Sequence, residues 1–412
     1  MKLNYKKTLL LGFGFLSISL TWALYNSFVP IFLRKFIVSN GVIGFIMTLD
    51  NYAGLFLQPI FGTLSDRTRT RFGRRIPYLL IGMPIAALFL CIIPWHWSLI
   101  SLVFLIVCLN LDMASFRSPT IALMPDLTPG PLRSKANGVI NLMGGLGSVI
   151  AYFIGSKLYS VNKAYPFYMA AVFMLISLAV LYKNIKERRD ALNYDDVPVK
   201  IEEKKEDSSG KLSKNVVFLL IAIFFWFVAF NPVEAFFTLY GKYFLNVNEA
   251  VAASKLTYFS LSMMIFAVPA GIIATKIGKK KTIITGLILM ILLFSAILNA
   301  NDINTIGYIF IFAGFCWALI NINSYPLVVS MTTGSNIGKF TGFYYIFSAL
   351  AAIVSPPVAG ALIDIFGYDI LFKISLVGFI LALIFISLVK PPAENNIKGK
   401  ASIEDSLENL DV

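Results

Sequence analysis

The chain has 412 residues, 58% of them hydrophobic and 14% charged, with a mean hydropathy of +0.77. A water-soluble domain of this length does not carry so much apolar surface, so a soluble enzyme or scaffold is excluded and a bilayer is the expected solvent. The net charge of +13 is spread over several short loops rather than one groove-sized patch, which argues against nucleic-acid binding and for contact with anionic lipid.

Apolar runs recur at 8–32, 40–62, 77–95, 98–124, 136–158, 165–183, 215–245, 252–275, 282–300, 304–329, 340–363 and 368–389. Each approaches the roughly 20 residues with which a helix crosses about 30 Å of hydrocarbon. None alternates as the strands of a membrane barrel do. The first run is longer than the apolar core of a signal peptide and has no small-residue cleavage site, so it is expected to remain as a helix. Twelve spans put both termini on one face. Lys and Arg favour that face by roughly four to one, which makes it cytoplasmic, in a multi-pass protein of the cell membrane.

The predicted fold is therefore all-α, with twelve transmembrane helices in two six-helix halves. Residues 1–183 form an N-terminal bundle, 184–214 a polar cytoplasmic linker, 215–390 a C-terminal bundle and 391–412 a cytoplasmic tail. The halves look like copies. "GTLSDRTRTRFGRR" follows the second span and "GIIATKIGKKK" the eighth; "KANG" opens the fifth and "KFTG" the eleventh, at almost the same offset. A parallel repeat of this kind puts a substrate site near the midplane, where rocking of the halves exposes it alternately to each side. Asp66 has Thr275 as its counterpart, so a charge interaction is expected in the first half that the second lacks.

"GTLSDRTRTRFGRR" resembles the cytoplasmic signature between helices 2 and 3 of the major facilitator superfamily. Together with "WALYNSFVP", "LFLQPIFG" and "SPTIALMPDLTPGPLRSKANG", it is similar to plant sucrose/proton symporters and the glycoside-pentoside-hexuronide cation symporters. The likeness covers most of the first half and is thinner in the second. It implies a major facilitator fold, driven by an ion gradient. One position departs: the sucrose symporters carry an arginine where this chain has Ile121, and Arg117 lies one turn earlier.

Physics supplies roles for these residues. Asp66 and Arg67 emerge at the inner end of helix 2, where a carboxylate can meet a positive helix N-terminus or Arg74 and Arg75 beyond Gly73. Such contacts can hold an inner gate. Asp126 and Arg133 flank the next cytoplasmic turn and are gate candidates too, whereas Arg69 and Arg71 fit topology and lipid anchoring.

Inside the spans, Asp112 and Arg117 need an explanation. The apolar side chains of 98–124 favour lipid by roughly 6 kcal/mol, and a central Asp or Arg costs about 2.5–3.5 kcal/mol each. Such charges face a wet cavity or a partner. Arg117 is near enough to the inner end to snorkel; Asp112 is not. Positions five apart sit about 140° around a helix, so partners on other helices are expected. Asp50 heads a stripe with Gly54, Gln58 and Gly62 and is the candidate partner of Arg117. In helix 7, Phe227, Asn231, Glu234 and Thr238 share a face beside Pro232. Asp50, Asp112, Glu234 and Arg117 are thus the ion-coupling candidates. A carboxylate taken out of water holds its proton more tightly, and an approaching guanidinium loosens it. The same acids suit Na⁺; the likeness to sucrose/proton symporters favours H⁺.

Sugars call for amides and carboxylates that pair with hydroxyls, and for aromatic faces. Trp22, Tyr25, Asn26, Asn51, Asn231, Trp317, Asn321 and Asn323 are the candidates, each also fit for interhelical hydrogen bonding or core filling. Trp95 and Trp97 flank the single His96 as an interfacial anchor, "NLMGGLGS" suits close helix packing, and Cys91, Cys108 and Cys316 are small core residues. The chain has no HExxH or GxSxG pattern, and Gly271 to Lys280 does not have phosphate-loop spacing. Neither an enzyme, a metal site nor a cofactor is expected. The expectation is a monomeric secondary transporter that imports a sugar or glycoside, such as a small oligosaccharide, by proton symport. Na⁺-coupled symport and proton-coupled efflux of drugs or other apolar compounds are the alternatives; "SPPVAG" in helix 11 speaks for the last and the absence of proline from "GGLGSVIAYFIG" against it.

Overall fold

The computed structural model describes residues 3–129, 132–190, 214–331 and 337–390. Its helices are α1 (Tyr5–Arg34), α2 (Asn40–Met47), α3 (Leu49–Arg67), α4 (Ile76–Ile92), α5 (Leu99–Leu127), α6 (Arg133–Ile150), α7 (Ser156–Val161), α8 (Tyr165–Asn184), α9 (Glu187–Asp190), α10 (Lys214–Tyr243), α11 (Glu249–Ile277), α12 (Lys279–Ile297), α13 (Ile303–Val329), α14 (Ile337–Phe366) and α15 (Ile370–Leu388). A π-helical turn, Ala151–Gly155, joins α6 to α7. No strand occurs among the described residues. Most of the tail and linker, residues 391–412 and 191–213, lie outside them.

Among the described residues, eleven helices are long and apolar enough to cross a membrane. The expected second span, 40–62, is two helices: α2, of 8 residues, is too short for that measure, and α3, of 19 residues, is long enough but not apolar enough. They meet at Thr48, whose N–H is shared between the Gly44 and Phe45 carbonyls and whose hydroxyl donates to Phe45 O at 2.8 Å. Polar Asp50, Asn51 and Gln58, with Asp66 and Arg67 at its end, keep α3 below the hydropathy of its neighbours.

Helix ends are closed locally. Ser98 and Ser101 form a reciprocal capping box at the start of α5, and Asp302 accepts from Asn304 N and Thr305 N at the start of α13. Each such cap satisfies N–H groups that have no partner within their own helix.

The duplication suggested by the motifs is present in the packing. In the first half α1 packs on α6 and α8, α3 on α5, and α4 on α5 and α8; in the second, α10 packs on α14 and α15, α11 on α13, and α12 on α13 and α15. The halves meet through α1 with α10, α2 with α14, and α6 with α11. Large side chains fill the interior, among them Phe28, Phe32, Phe116 and Phe167 in the first half and Trp226, Phe237, Phe310 and Phe372 in the second. Others equally apolar, such as Ile100, Phe104, Leu292 and Phe312, are exposed on the outer surface. A bundle that is apolar inside and out is one whose surface meets hydrocarbon.

The α11–α13 contact shows how close the helices come. A Cβ at Gly314 would stand 2.3 Å from Phe259 O, whereas one at Gly271 would meet nothing within 4 Å. Gly314→Val is expected to cost about 1–3 kcal/mol by overpacking and to lower the thermal unfolding midpoint in detergent. Gly271→Ala should leave that midpoint unchanged or raise it, since alanine favours helix over glycine by about 1 kcal/mol.

Candidate functional site

A cavity of about 340 Å³ lies between the halves. The first half contributes Ser19, Trp22 and Asn26 from α1, Thr48, Asp50 and Asn51 from the α2–α3 break, Arg117 from α5 and Ser148 from α6; the second contributes Asn231 and Glu234 from α10 and Ala352 and Pro356 from α14. Thr48, Asp50 and Asn51 reach the cavity wall at and just beyond the point where α2 meets α3.

Three of the four proposed ionisable groups meet in this space. Asp50 Oδ1 accepts from Asn51 Nδ2 at 3.0 Å, and Arg117 lines the same cavity. Glu234 Oε1 accepts from Asn26 Nδ2 at 3.0 Å, so an amide of the first half and a carboxylate of the second bridge the cavity. Asp112 is elsewhere. It stands apart from the cavity on α5, half-buried, with Oδ2 enclosed and without a hydrogen-bond partner. The five-residue offset from Arg117, which rotates it about 140° around the helix, is the reason.

The proposed substrate residues divide as well. Trp22, Asn26, Asn51 and Asn231 line the cavity, and Trp22 Nε1 and Asn231 Nδ2 are buried donors without an acceptor. Tyr25 lies behind Trp22, edge-on to it at 5.3 Å and fully buried, and its hydroxyl takes a long contact from Asn110 Nδ2. Trp317 stacks on Phe230 at 4.2 Å inside the second half. Asn323 donates to Ala270 O and Leu319 O and ties α13 to α11. Neither these two nor Asn321 reaches the cavity. Ser19, Thr48 and Ser148 were missed by sequence reasoning, because single small polar residues in apolar helices carry no pattern.

The motif between α3 and α4 forms a second polar cluster at one end of the bundle. Arg75, almost fully buried, donates to Asp66 and Ser65, to Gly62 O at 3.3 Å and, through Nε, to Asp126 Oδ2 at 3.0 Å. Arg74 Nη2 pairs with Asp126 Oδ1 at 2.9 Å. Arg133 donates to Thr128 O and Pro125 O, closing the C-terminal turn of α5. Arg67 is exposed and stands outside this cluster.

The positive end of α4 is held not by Asp66 but by Glu187, at the start of α9 and with no exposed surface. Its carboxylate accepts from Arg75 N at 2.8 Å and Ile76 N at 3.1 Å and lies 3.7 Å from Arg74 Nε. Burial pushes the Glu187 carboxyl up, and the N–H donors at the start of α4 pull it back. The stretch expected to begin the linker at 184 is therefore docked through 187. Its mixed charge hid this, although an acid just past the last apolar residue of a half is a signal that a helix start needs one. Gly73 is required by the same contact: its φ is +122°, and a Cβ there would stand 2.3 Å from Glu187 Oε2.

Two packed sets of membrane-crossing helices, related as copies and enclosing a polar cavity at their junction, define a membrane transporter. The chain belongs to the Major Facilitator Superfamily, whose profile matches residues 11–254 and 243–410. It is 25% identical over 298 residues to the isoprimeverose transporter of Lactiplantibacillus pentosus, a match covering 66% of this chain and 60% of that protein. It is 25% identical over 264 residues to the class B tetracycline resistance protein of Escherichia coli, covering 63% and 64%. With the sucrose transport protein SUC3 of Arabidopsis thaliana it shares 27% over 158 residues, covering 33% and 27%. Among solved structures, a bacterial homolog of the human lysosomal transporter Spinster, inward-facing and occupied, aligns with a TM-score of 0.76 at 12% identity over 94% of this chain and 97% of that one. The matched stretches thus span less than two thirds of each of these sequence relatives, and the structural likeness is one of fold.

Glu187→Ala is expected to cost about 1–3 kcal/mol, because it leaves helix-start N–H groups buried and unpaired; Glu187→Gln, which keeps one acceptor oxygen, should cost less. Gly73→Ala should lower the thermal midpoint more in the native background than in Glu187→Ala, where part of the clash is relieved. A double-mutant cycle read by thermal unfolding checks both.

Proposed function

We propose that this transporter imports a neutral or weakly charged sugar or glycoside, on the scale of a small oligosaccharide, together with a proton. The observation that carries the reading is the lining of the cavity: three amides, two carboxylates, a guanidinium and an indole converge on one space. Amides and carboxylates pair with sugar hydroxyls, and Trp22 Nε1 and Asn231 Nδ2 are enclosed in the cavity wall without an acceptor, donors that a turn of either side chain would offer to a hydroxyl or ring oxygen. The volume sits at the lower end of small-molecule pockets, about 300–1,000 Å³. The names of the Lactiplantibacillus and Arabidopsis relatives point the same way.

In this reading Asp50 carries the proton and Arg117 is its counter-charge. Proton uptake from the outer side neutralises Asp50 and frees Arg117 to turn to substrate; release to the inner side restores the pair. Glu234, held by Asn26, joins substrate occupancy to the distance between the halves. The Arg75 cluster, whose members all belong to the first half, braces the inner end on which the gate closes, with both termini, the linker and the tail in the cytoplasm of a cell-membrane protein acting as a monomer. The tetracycline resistance relative favours a second reading, efflux of a drug in exchange for protons through the same cavity.

Uptake of a labelled glycoside panel into proteoliposomes, with and without an imposed proton gradient, decides between them. The native protein is expected to concentrate at least one glycoside when the gradient is present, and Asp50→Asn to lose that concentration while retaining downhill flux. No glycoside uptake, alongside extrusion of a hydrophobic dye, identifies the antiporter.

Asn231→Ala should raise the half-saturating concentration about tenfold, the effect of losing a hydrogen bond of about 1.5 kcal/mol. Asn321→Ala, away from the cavity, should leave it unchanged. Initial-rate measurements over a concentration series test the contrast.

A further inference from the structure

The end of the bundle opposite the Arg75 cluster carries a set of interactions that neither the cavity nor the signature motif accounts for. Asp364, near the C-terminus of α14 in the second half, faces the first turn of α2 in the first half. Its Oδ1 accepts from Asn40 N at 2.7 Å and Asn40 Nδ2 at 2.9 Å, and its Oδ2 accepts from Ser39 Oγ at 2.7 Å and Gly41 N at 3.1 Å. Tyr368 O–H donates to Asn40 Oδ1 at 2.7 Å. Tyr368 in turn stacks on Tyr243, over which the Arg34 guanidinium of the first half lies at 5.5 Å.

Below this set the two backbones touch. A Cβ at Gly44 would stand 2.4 Å from Pro356 O, and one at Gly360 would stand 2.2 Å from Asn40 O. Pro356 also lines the cavity, so the contact forms the cavity's closure on this side.

We propose that Asp364 is a positioning residue of the transport cycle, the latch that keeps the cavity shut at this end. The first N–H groups of α2 have no acceptor within their own helix, and a carboxylate at a helix start is favoured by the helix dipole. Here that carboxylate comes from the other half of the protein. The bonds therefore exist when the halves are together at this end and are lost when they part, so their whole strength is a difference between the two states. An interaction of that kind sets a conformational equilibrium, whereas one made equally in both states does not. The absence of side chains at Gly41, Gly44 and Gly360 lets α2 and α14 come near enough for the carboxylate to reach its donors. That this end is the outer one rests on the orientation proposed above; the latch itself does not.

The test uses the full-length protein in right-side-out and inside-out membrane vesicles, with Cys91, Cys108 and Cys316 replaced by serine and Ser148→Cys as a reporter in the cavity wall. A membrane-impermeant maleimide is applied from each face. Asp364→Ala is expected to speed labelling from the Asp364 face by about tenfold or more, the effect of losing charge-assisted hydrogen bonds, and to slow it from the other face. Asp364→Asn, which keeps an acceptor oxygen, should fall between. Ser39→Ala removes one of the four donors at a half-buried position, together with the Ser39 cap on Val42 N, which lies within the first half and is unaffected by parting of the halves; it should give about a twofold to threefold acceleration. It also serves as the readout if Asp364→Ala fails to accumulate. A merely structural role would change the amount of protein without shifting reactivity from one face to the other. Unchanged labelling from the Asp364 face in Asp364→Ala, or in Ser39→Ala where that variant decides, overturns the proposal. Acceleration only from the face that carries the Arg75 cluster overturns it as well, and glycoside uptake, measured separately, reports on the proposed function.

Discussion

Hydrocarbon offers no hydrogen-bond partner, so a charged group kept between the ends of this bundle is best tolerated where other polar groups or a polar cavity face it. That constraint organises the structure. Asp50, Asn51, Arg117, Asn26, Asn231 and Glu234 come from four different helices, and each would be costly on a helix facing lipid. They share one cavity at the junction of the halves, where protein groups and the cavity interior replace water. The arrangement that makes these residues tolerable also makes them useful. Their partners belong partly to the other half, so any relative motion of the halves changes their energies.

The two halves of the bundle handle the same unsatisfied helix termini in different ways. In the first half, Glu187 returns from beyond α8 to cap the start of α4, and Arg75 gathers Asp66 and Asp126. In the second half, the position equivalent to Arg75 is Lys280, which donates to Ser387 O and Val389 O at the end of α15. The same junction, between the start of a third span and the end of a sixth, is tied by an anion at N–H groups in one half and by a cation at carbonyls in the other. Both choices follow the helix dipole. The acidic cluster around Arg75 has no counterpart at Thr275, so the first half carries a polar network that the second does not.

Much of the organisation was legible in the chain. Twelve apolar runs, the central polar stretch and the duplicated glycine-basic turns led to the two-half helical fold, because span length and the exclusion of charge from lipid act on each segment locally. Asp50, Arg117 and Glu234 stood out for the same reason: a charge in an apolar run is visible in one dimension. The runs did not show that the second span breaks at Thr48, since a polar residue in a helix signals nothing about whether the helix continues. They also placed Asp112 beside Arg117 among the ion-coupling candidates; the 140° between them showed that the two face different ways, but not which of them faces the cavity.

The sequence by itself determined the solvent of this protein, the number and order of its segments, and the internal repeat, all of which depend on composition and short-range spacing. Tertiary structure decided which polar residues share a space. It set Trp22, Asn26, Asn51 and Asn231 at the cavity and withdrew Tyr25, Trp317, Asn321 and Asn323 from it. It also joined Gly73 to Glu187 and Asn40 to Asp364 across long stretches of chain. The reason is rotational: which way a side chain points from a helix in a packed bundle depends on the axial rotation and crossing of its neighbours, and a segment that is apolar on every side carries no record of that rotation.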